Sequence, residues 1–410
     1  MQFKNLNIFR FNFLQLVVLS MPLLIVNVKH ASELVILFLT IFGVYFSIRE
    51  RKLPFFHDQL KIYSYLVLAF FFSIVMSVIL SNNPIQGIHR IGSNIHFLVA
   101  PFVAYGIYKS NVDLKHIVFA IKLSVIVGSV YAIHATYLGA GRVEVGADSP
   151  TIFGFIMAFF GFIIINDIWT QSNKEKLFSI FVFFLAMNSV LLSGTRIAFV
   201  MTIALFFSVM FIWSTQGYLT KRRLLLIVTV LTVIITAASV NNKTYNDKRI
   251  NGAFNAFKTY SMDADSLEPV RIRLSMWIGG FEAFKQQPII GYGYQNTGLE
   301  ASRHVTGSYA KEFIKYQKML HNDYVNSLVG FGILGLLALM ALLFLPLTLF
   351  FKRLKADKEC ARSAIGVLFI IALSVFAITD SIYSHSVMRS FFVFFLSVLL
   401  LTDRKKVSPP

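Results

Sequence analysis

A single cysteine, Cys360, stands among 410 residues, which excludes both an intramolecular disulfide and an all-cysteine metal site. Charge is scarce as well: Asp, Glu, Lys and Arg make up 14% of the chain, against about a quarter in soluble globular proteins. Acids are the scarcer sign, 20 against 38 bases, for a formal net charge of +18. No basic stripe of a soluble nucleic-acid module is present, and much of the positive charge falls in short loops between apolar runs, so it mainly sets topology. The short alternating segments of a membrane β-barrel are missing, and so is the internal repeat of an inverted-repeat transporter. What is abundant is hydrophobicity: 56% of residues, with a mean hydropathy of +0.67. Several apolar runs reach about 20 residues, enough to cross the hydrocarbon core as helices. The fold class is an all-α polytopic membrane protein.

The apolar runs predict about twelve spans, near 11–28, 32–48, 61–81, 89–108, 115–136, 151–168, 177–193, 196–214, 223–241, 323–350, 363–380 and 386–402. Lys4 and Arg10 ahead of the first run resemble a signal sequence, but no small-x-small cleavage site follows, so it reads as a retained span. With the N-terminus cytoplasmic, the inside loops 49–52, 109–115, 174–176, 221–223, 352–362 and 404–406 are all rich in Lys or Arg. The short outside loops carry only Lys29, Arg90, Arg142 and Arg196, a bias that puts both termini inside. The organisation is therefore nine spans in 1–241, an outer loop in 242–322, three spans in 323–402 and a cytoplasmic tail in 403–410.

That outer loop is too polar to span and too long for a plain connector. Asp265 and Glu268 form a cap-like pair, after which Leu274, Trp277, Ile278, Phe281 and Phe284 recur at helical spacing up to Pro288 and the turn Gly291-Tyr292-Gly293. A second amphipathic piece is expected over 309–320. Such helices lie at a membrane–water boundary and form a lid above the spans.

Three cationic or titratable groups fall on the outer side. Arg196 sits in the tight turn Ser193-Gly194-Thr195-Arg196 between two apolar runs, a position that fits either a cavity-facing charge or an arginine snorkelling to lipid phosphate. Arg273 is one turn before Trp277 and shares its helix face, as in an ordinary interfacial helix too. His321 supplies a residue type that exchanges protons near neutral pH. Gly332 follows three helical turns after it, with Gly335 beside it, so the three are expected on one face of one helix. Arginine binds phosphate oxygens bidentately and neutralises a pyrophosphate leaving group without a metal, while histidine within reach of an alcohol removes its proton. The implied chemistry is transfer of a group from a membrane-bound pyrophosphate donor to a hydroxyl.

His321-Asn322, nine further positions, then Gly332-Ile-Leu-Gly335 resembles the His-[Asn/Ser/Gln]-x9-Gly-x-x-[Gly/Thr/Tyr] pattern of the O-antigen ligase family. Ser193-Gly194-Thr195-Arg196 is similar to that family's short outer turn with an essential arginine. Arg273-Leu-Ser-Met-Trp277, followed by Pro288-Ile-Ile-Gly291-Tyr-Gly293, resembles the arginine-bearing loop helix shared by ligases and O-antigen polymerases. The resemblance implies a GT-C-like membrane glycosyltransferase with a large periplasmic loop in the bacterial inner membrane. It implies no cofactor and no metal, and inverting transfer of O-antigen from undecaprenyl pyrophosphate to a sugar hydroxyl of lipid A–core in lipopolysaccharide biosynthesis. Under it, His321 is the acceptor-activating base and Arg196 and Arg273 hold the donor pyrophosphate. Arg271 competes with Arg273 for the inward position; the tryptophan spacing favours Arg273.

Arg90 and Arg142 fit either an entry path for the anionic donor or plain topology residues. Asp380, near Tyr383 and His385, fits orientation of an imidazole or binding of an acceptor sugar, and equally a polar short loop. Asn322 fits a hydrogen-bonding role beside His321 or a helix cap. Asp263-Ala264-Asp265 reads as a cap, since nucleotide-sugars are not expected outside the cytoplasmic membrane. Three other functions are open. An O-antigen polymerase shares the chemistry, and a protein O-oligosaccharyltransferase is disfavoured because the chain ends soon after the twelfth span. A flippase for lipid-linked oligosaccharide is disfavoured because most charges cluster at the outer boundary rather than deep in the spans.

Overall fold

The structure, a computed structural model, describes residues 11–224 and 269–401. The expected span 223–241 falls almost wholly, and Asp263-Ala264-Asp265 and the Asp265/Glu268 cap entirely, outside the described residues. The described chain is all helix, with no strand. In order the helices are α1 (Phe13–Asn27), α2 (Ala31–Arg49), α3 (Lys61–Ile79), α4 (Pro84–Ser93), α5 (Ile95–Ser110), α6 (Leu114–Tyr137), α7 (Pro150–Asn166) and α8 (Asn173–Ser193). They continue as α9 (Arg196–Thr215), α10 (Pro269–Gln286), α11 (Thr297–Ser302), α12 (Ser308–Lys315), α13 (Asp323–Ala356), α14 (Ala361–Thr379) and α15 (Ser386–Leu400).

Nine helical segments among the described residues are long and apolar enough to cross a membrane, counting α4 with α5 as one run. Apolar α1 and α15 are 15 residues each, about 22 Å at the α-helical rise. The protein is thus an all-α polytopic membrane protein. Two compact units divide it: Met1–Val75, His89–Val209 and Leu337–Pro410 in the first, Met76–Ile88 and Met210–Leu336 in the second.

The first unit is organised on α7, whose residues from Ile152 to Asn166 are all buried. In lipid a helix gains little from leaving an apolar solvent, so such burial is held by close packing. Phenylalanines supply it: the Phe155 ring lies 4.7 Å from that of Phe376 and 5.5 Å from that of Phe391, centroid to centroid. Arg353 and Arg362 donate to the carbonyls of Leu400 and Val398, satisfying acceptors at the end of α15 that the helix itself leaves open.

The second unit's core joins α10, α11, α12 and the start of α13 through Met276, Ala283, Ala301, Val305, Ile314, Leu320 and Val329. The expected helix forms as α10, and its face toward this core is not the bulky stripe. The buried face is Ile272, Ser275, Met276, Gly279, Gly280 and Ala283, whereas Leu274, Trp277, Ile278 and Phe284 are half-buried and Phe281 is exposed. Small residues win the inner face because α11 comes so close that a methyl group at Gly279 would run into the Ala301 carbonyl. Of the bulky stripe, Trp277 packs partly against this core and Phe281 is exposed. The second piece is shorter than expected, ending at Lys315 rather than near 320.

Candidate functional site

His321 does not lie on α13 but immediately before it, in the left-handed backbone region at φ +49°. Its neighbours are pinned on both sides. The Trp277 indole N–H donates to the Leu320 carbonyl at 3.0 Å, and the Leu320 N–H donates to the buried Asn326 Oδ1 at 2.7 Å. Asn322 Oδ1 accepts from the N–H groups of Tyr324 and Val325 at 3.0 and 3.1 Å, the pattern of a helix N-cap. The cap reading of Asn322 is therefore the one its side-chain oxygen adopts. His321 is half-buried between these anchors, with Nδ1 inside. Left-handed backbone is uncommon outside glycine, and it gathers where a site holds its residues in unusual poses.

The expected shared face of His321 and Gly332 is corrected too, because Gly332 interrupts α13 with φ +66° and ψ −161°. That conformation is essentially restricted to glycine. In an unbroken helix the Val329 and Gly330 carbonyls would accept from residues 333 and 334. Here they accept from the N–H groups of Tyr292 and Gly293 at 2.8 and 3.0 Å, and the Ile333 N–H donates to Pro288 at 2.8 Å. Ser77 Oγ also donates to the Gly330 carbonyl, at 2.5 Å. The two glycine-bearing motifs are thus one structure: the turn after α10 supplies the hydrogen bonds that the broken helix lost. An apolar surrounding demands this, since an unmet backbone group there costs several kcal/mol.

Trp277 links α10 directly to the residue before His321, and Arg273 stands one turn earlier along the same side of that helix. Arg273 and Arg271 are both half-buried. Sequence reasoning passed over Asp323, wholly buried as the first residue of α13. An acid there suits the helix N-terminus, and its burial leaves no mark in the sequence.

Glu300 on α11 was also unanticipated. It is 7% exposed and pairs at 2.8 Å with Arg303. Burial raises its carboxyl above the usual range, with Arg303 and His304 pulling the other way. A carboxyl whose pKa is higher in the folded than in the unfolded state stabilises the fold fully below the unfolded pKa and loses that contribution as pH rises through the folded pKa. The melting temperature of Glu300→Gln is therefore expected to gain on that of the parent as pH rises above the ordinary glutamate value of about 4. Parallel melting curves above that value would count against burial of an ionisable Glu300.

In the first unit, Arg196 opens α9 and is exposed. The turn before it is closed by Gly194, left-handed at φ +62°. Arg142 comes to the same turn: its Nε donates to the Ser193 carbonyl at 3.4 Å, and the Val143 N–H donates to Leu192 at 3.3 Å. Sequence distance hid this approach of Arg142 to the turn before Arg196. Arg90 is half-buried near the end of α4. Asp380 is 6% exposed after α14, accepts from the Ser381 N–H, and lies 3.4 Å from His385 Nε2. Arg389 in the first turn of α15 is as buried, donates to the Tyr383 carbonyl and acts electrostatically on His96. Its signal was available, a lone charge inside an apolar run.

Fold and site together define a class: a multi-pass membrane protein, helical throughout its described residues, with a second compact unit that presents a strained histidine beside an arginine-bearing helix. Residues 180–340 match the family model described as O-Antigen ligase. The chain is also 24% identical over 376 residues to an uncharacterized protein of Haemophilus influenzae, covering 87% of this chain and 89% of that one.

Proposed function

We propose that this protein is an O-antigen ligase, an inverting, metal-independent glycosyltransferase at the periplasmic face of the bacterial inner membrane. One observation carries the reading: the family match over 180–340 contains Arg196, Arg273 and His321 together. In the proposed reaction a sugar hydroxyl of lipid A–core attacks the anomeric carbon of O-antigen linked to undecaprenyl pyrophosphate. The new C–O bond forms as the bond to pyrophosphate breaks, with inversion. His321 takes the hydroxyl proton, and Arg196 and Arg273 hold the pyrophosphate as its charge develops. Twelve spans with both termini cytoplasmic and a GT-C-like arrangement complete the proposal, with Arg273 and His321 carried by the outer-loop segment. Arg271, Arg142, Arg90, Asn322 and Asp380 are assigned supporting roles toward donor or acceptor.

The test is the lipopolysaccharide gel pattern of cells deleted for the gene, read beside the glycan retained on undecaprenyl pyrophosphate. Bare lipid A–core with long polymer left on the carrier is the expected result. Lipid A–core bearing a single repeat would replace the ligase with a polymerase.

A further inference from the structure

At the Arg49 end of α2, on the first unit, a groove of about 360 Å³ is walled by Val44, Ile48, Leu53 and Phe102, with Arg51 and Lys52 on its rim. α2 and α5 cross closely at Gly43, where a methyl group would run into the Phe102 backbone, and Phe55 packs edge-on against Phe102 at 6.0 Å. Three cations, Arg49, Arg51 and Lys52, are exposed there. The nearby acid is engaged elsewhere: Glu50 accepts from Lys109 Nζ at 2.5 Å and Tyr105 Oη at 2.7 Å, and these hydrogen bonds hold its carboxyl below the usual range.

The backbone adds an independent mark. α2 ends in a left-handed cap, the Arg51 N–H donating to Ile48 and the Lys52 N–H to Ser47, with Arg51 at φ +50°. Glycine is the usual residue at that position, because it alone is unstrained there. An arginine kept at a strained cap, aimed beside an apolar groove, calls for a ligand of opposite charge with an apolar tail.

We infer that this groove binds an anionic diacyl phospholipid, its phosphate between Arg51 and Lys52 and one acyl chain along Val44, Ile48 and Phe102. Each cation at a bilayer surface strengthens association with an anionic headgroup about fivefold. The chemistry is distinct from glycan transfer, and binding does not depend on that activity.

The experiment replaces Cys360 by serine and places a fluorophore on Leu53→Cys in proteoliposomes of unbrominated phosphatidylcholine. Phosphatidylglycerol or phosphatidylcholine with brominated chains is then titrated in. Half-quenching by the brominated phosphatidylglycerol is expected at a mole fraction at least about fivefold lower than by the brominated phosphatidylcholine. Arg51→Lys should keep the preference and Arg51→Gly/Lys52→Gln should abolish it. Arg51→Gly alone should lower the preference while melting no earlier than the parent, which separates lipid binding from folding. Equal quenching by the two lipids, or a preference unchanged in the double variant, overturns the site.

Discussion

His321→Asn is expected to fold and to transfer glycan about 10²–10⁴-fold more slowly than the parent, the range a positioned general base contributes. Asparagine is chosen because it accepts left-handed backbone readily, and His321 sits at φ +49° between two anchored neighbours. The loss should fall on kcat, since the proposed proton transfer belongs to the transition state and not to donor binding. The measurement is transfer from undecaprenyl pyrophosphate-linked glycan to lipid A–core by purified protein, with a melting curve of the same sample. A well-folded His321→Asn protein with undiminished transfer would remove the catalytic base from the proposal, and with it the main ground for preferring an enzyme over a flippase.

Gly332→Ala is expected to have the largest effect on stability, on the order of 3 kcal/mol. Its backbone conformation at φ +66°, ψ −161° is closed to alanine, and the added methyl group would meet the Ile289 carbonyl. Relaxing that clash by straightening the helix would strip the Tyr292 and Gly293 N–H groups and the Pro288 carbonyl of their backbone partners, each a net loss of about 1 kcal/mol. The matched control is Gly92→Ala, on a helix with nothing near the added carbon, where alanine is neutral or stabilising by up to about 1 kcal/mol. Thermal unfolding in detergent compares the two. Equal melting temperatures would mean that the break in α13 is not held by the turn at residues 288–293.

The two predictions meet in one piece of structure. The Pro288-to-Gly293 turn repairs the break at Gly332, while Trp277 and Asn326 fix Leu320 beside His321. A change at Gly332 that loosens the second unit should therefore lower transfer together with melting temperature, whereas His321→Asn should lower transfer alone.

Apolar run length was enough to determine by itself that this is a many-spanning helical membrane protein, because a span is set by local hydrophobicity over about 20 residues. Arg196 and His321 stood out as candidates for a similar reason, being charged or titratable groups at the ends of apolar segments where few are tolerated, and Arg273 stood out by its spacing to Trp277. Tertiary structure alone decided which face of α10 is inside, because close helix approach at Gly279 overrode the bulkier hydrophobic stripe. It decided that His321 precedes α13 and that Gly332 breaks it, since helical spacing assumes an unbroken helix and the partners that break this one lie some 40 residues away. It brought Arg142 to the Ser193 turn and buried Asp323, Glu300 and Arg389. Burial and long-range hydrogen bonding depend on what the rest of the chain places alongside, and no local pattern carries that information.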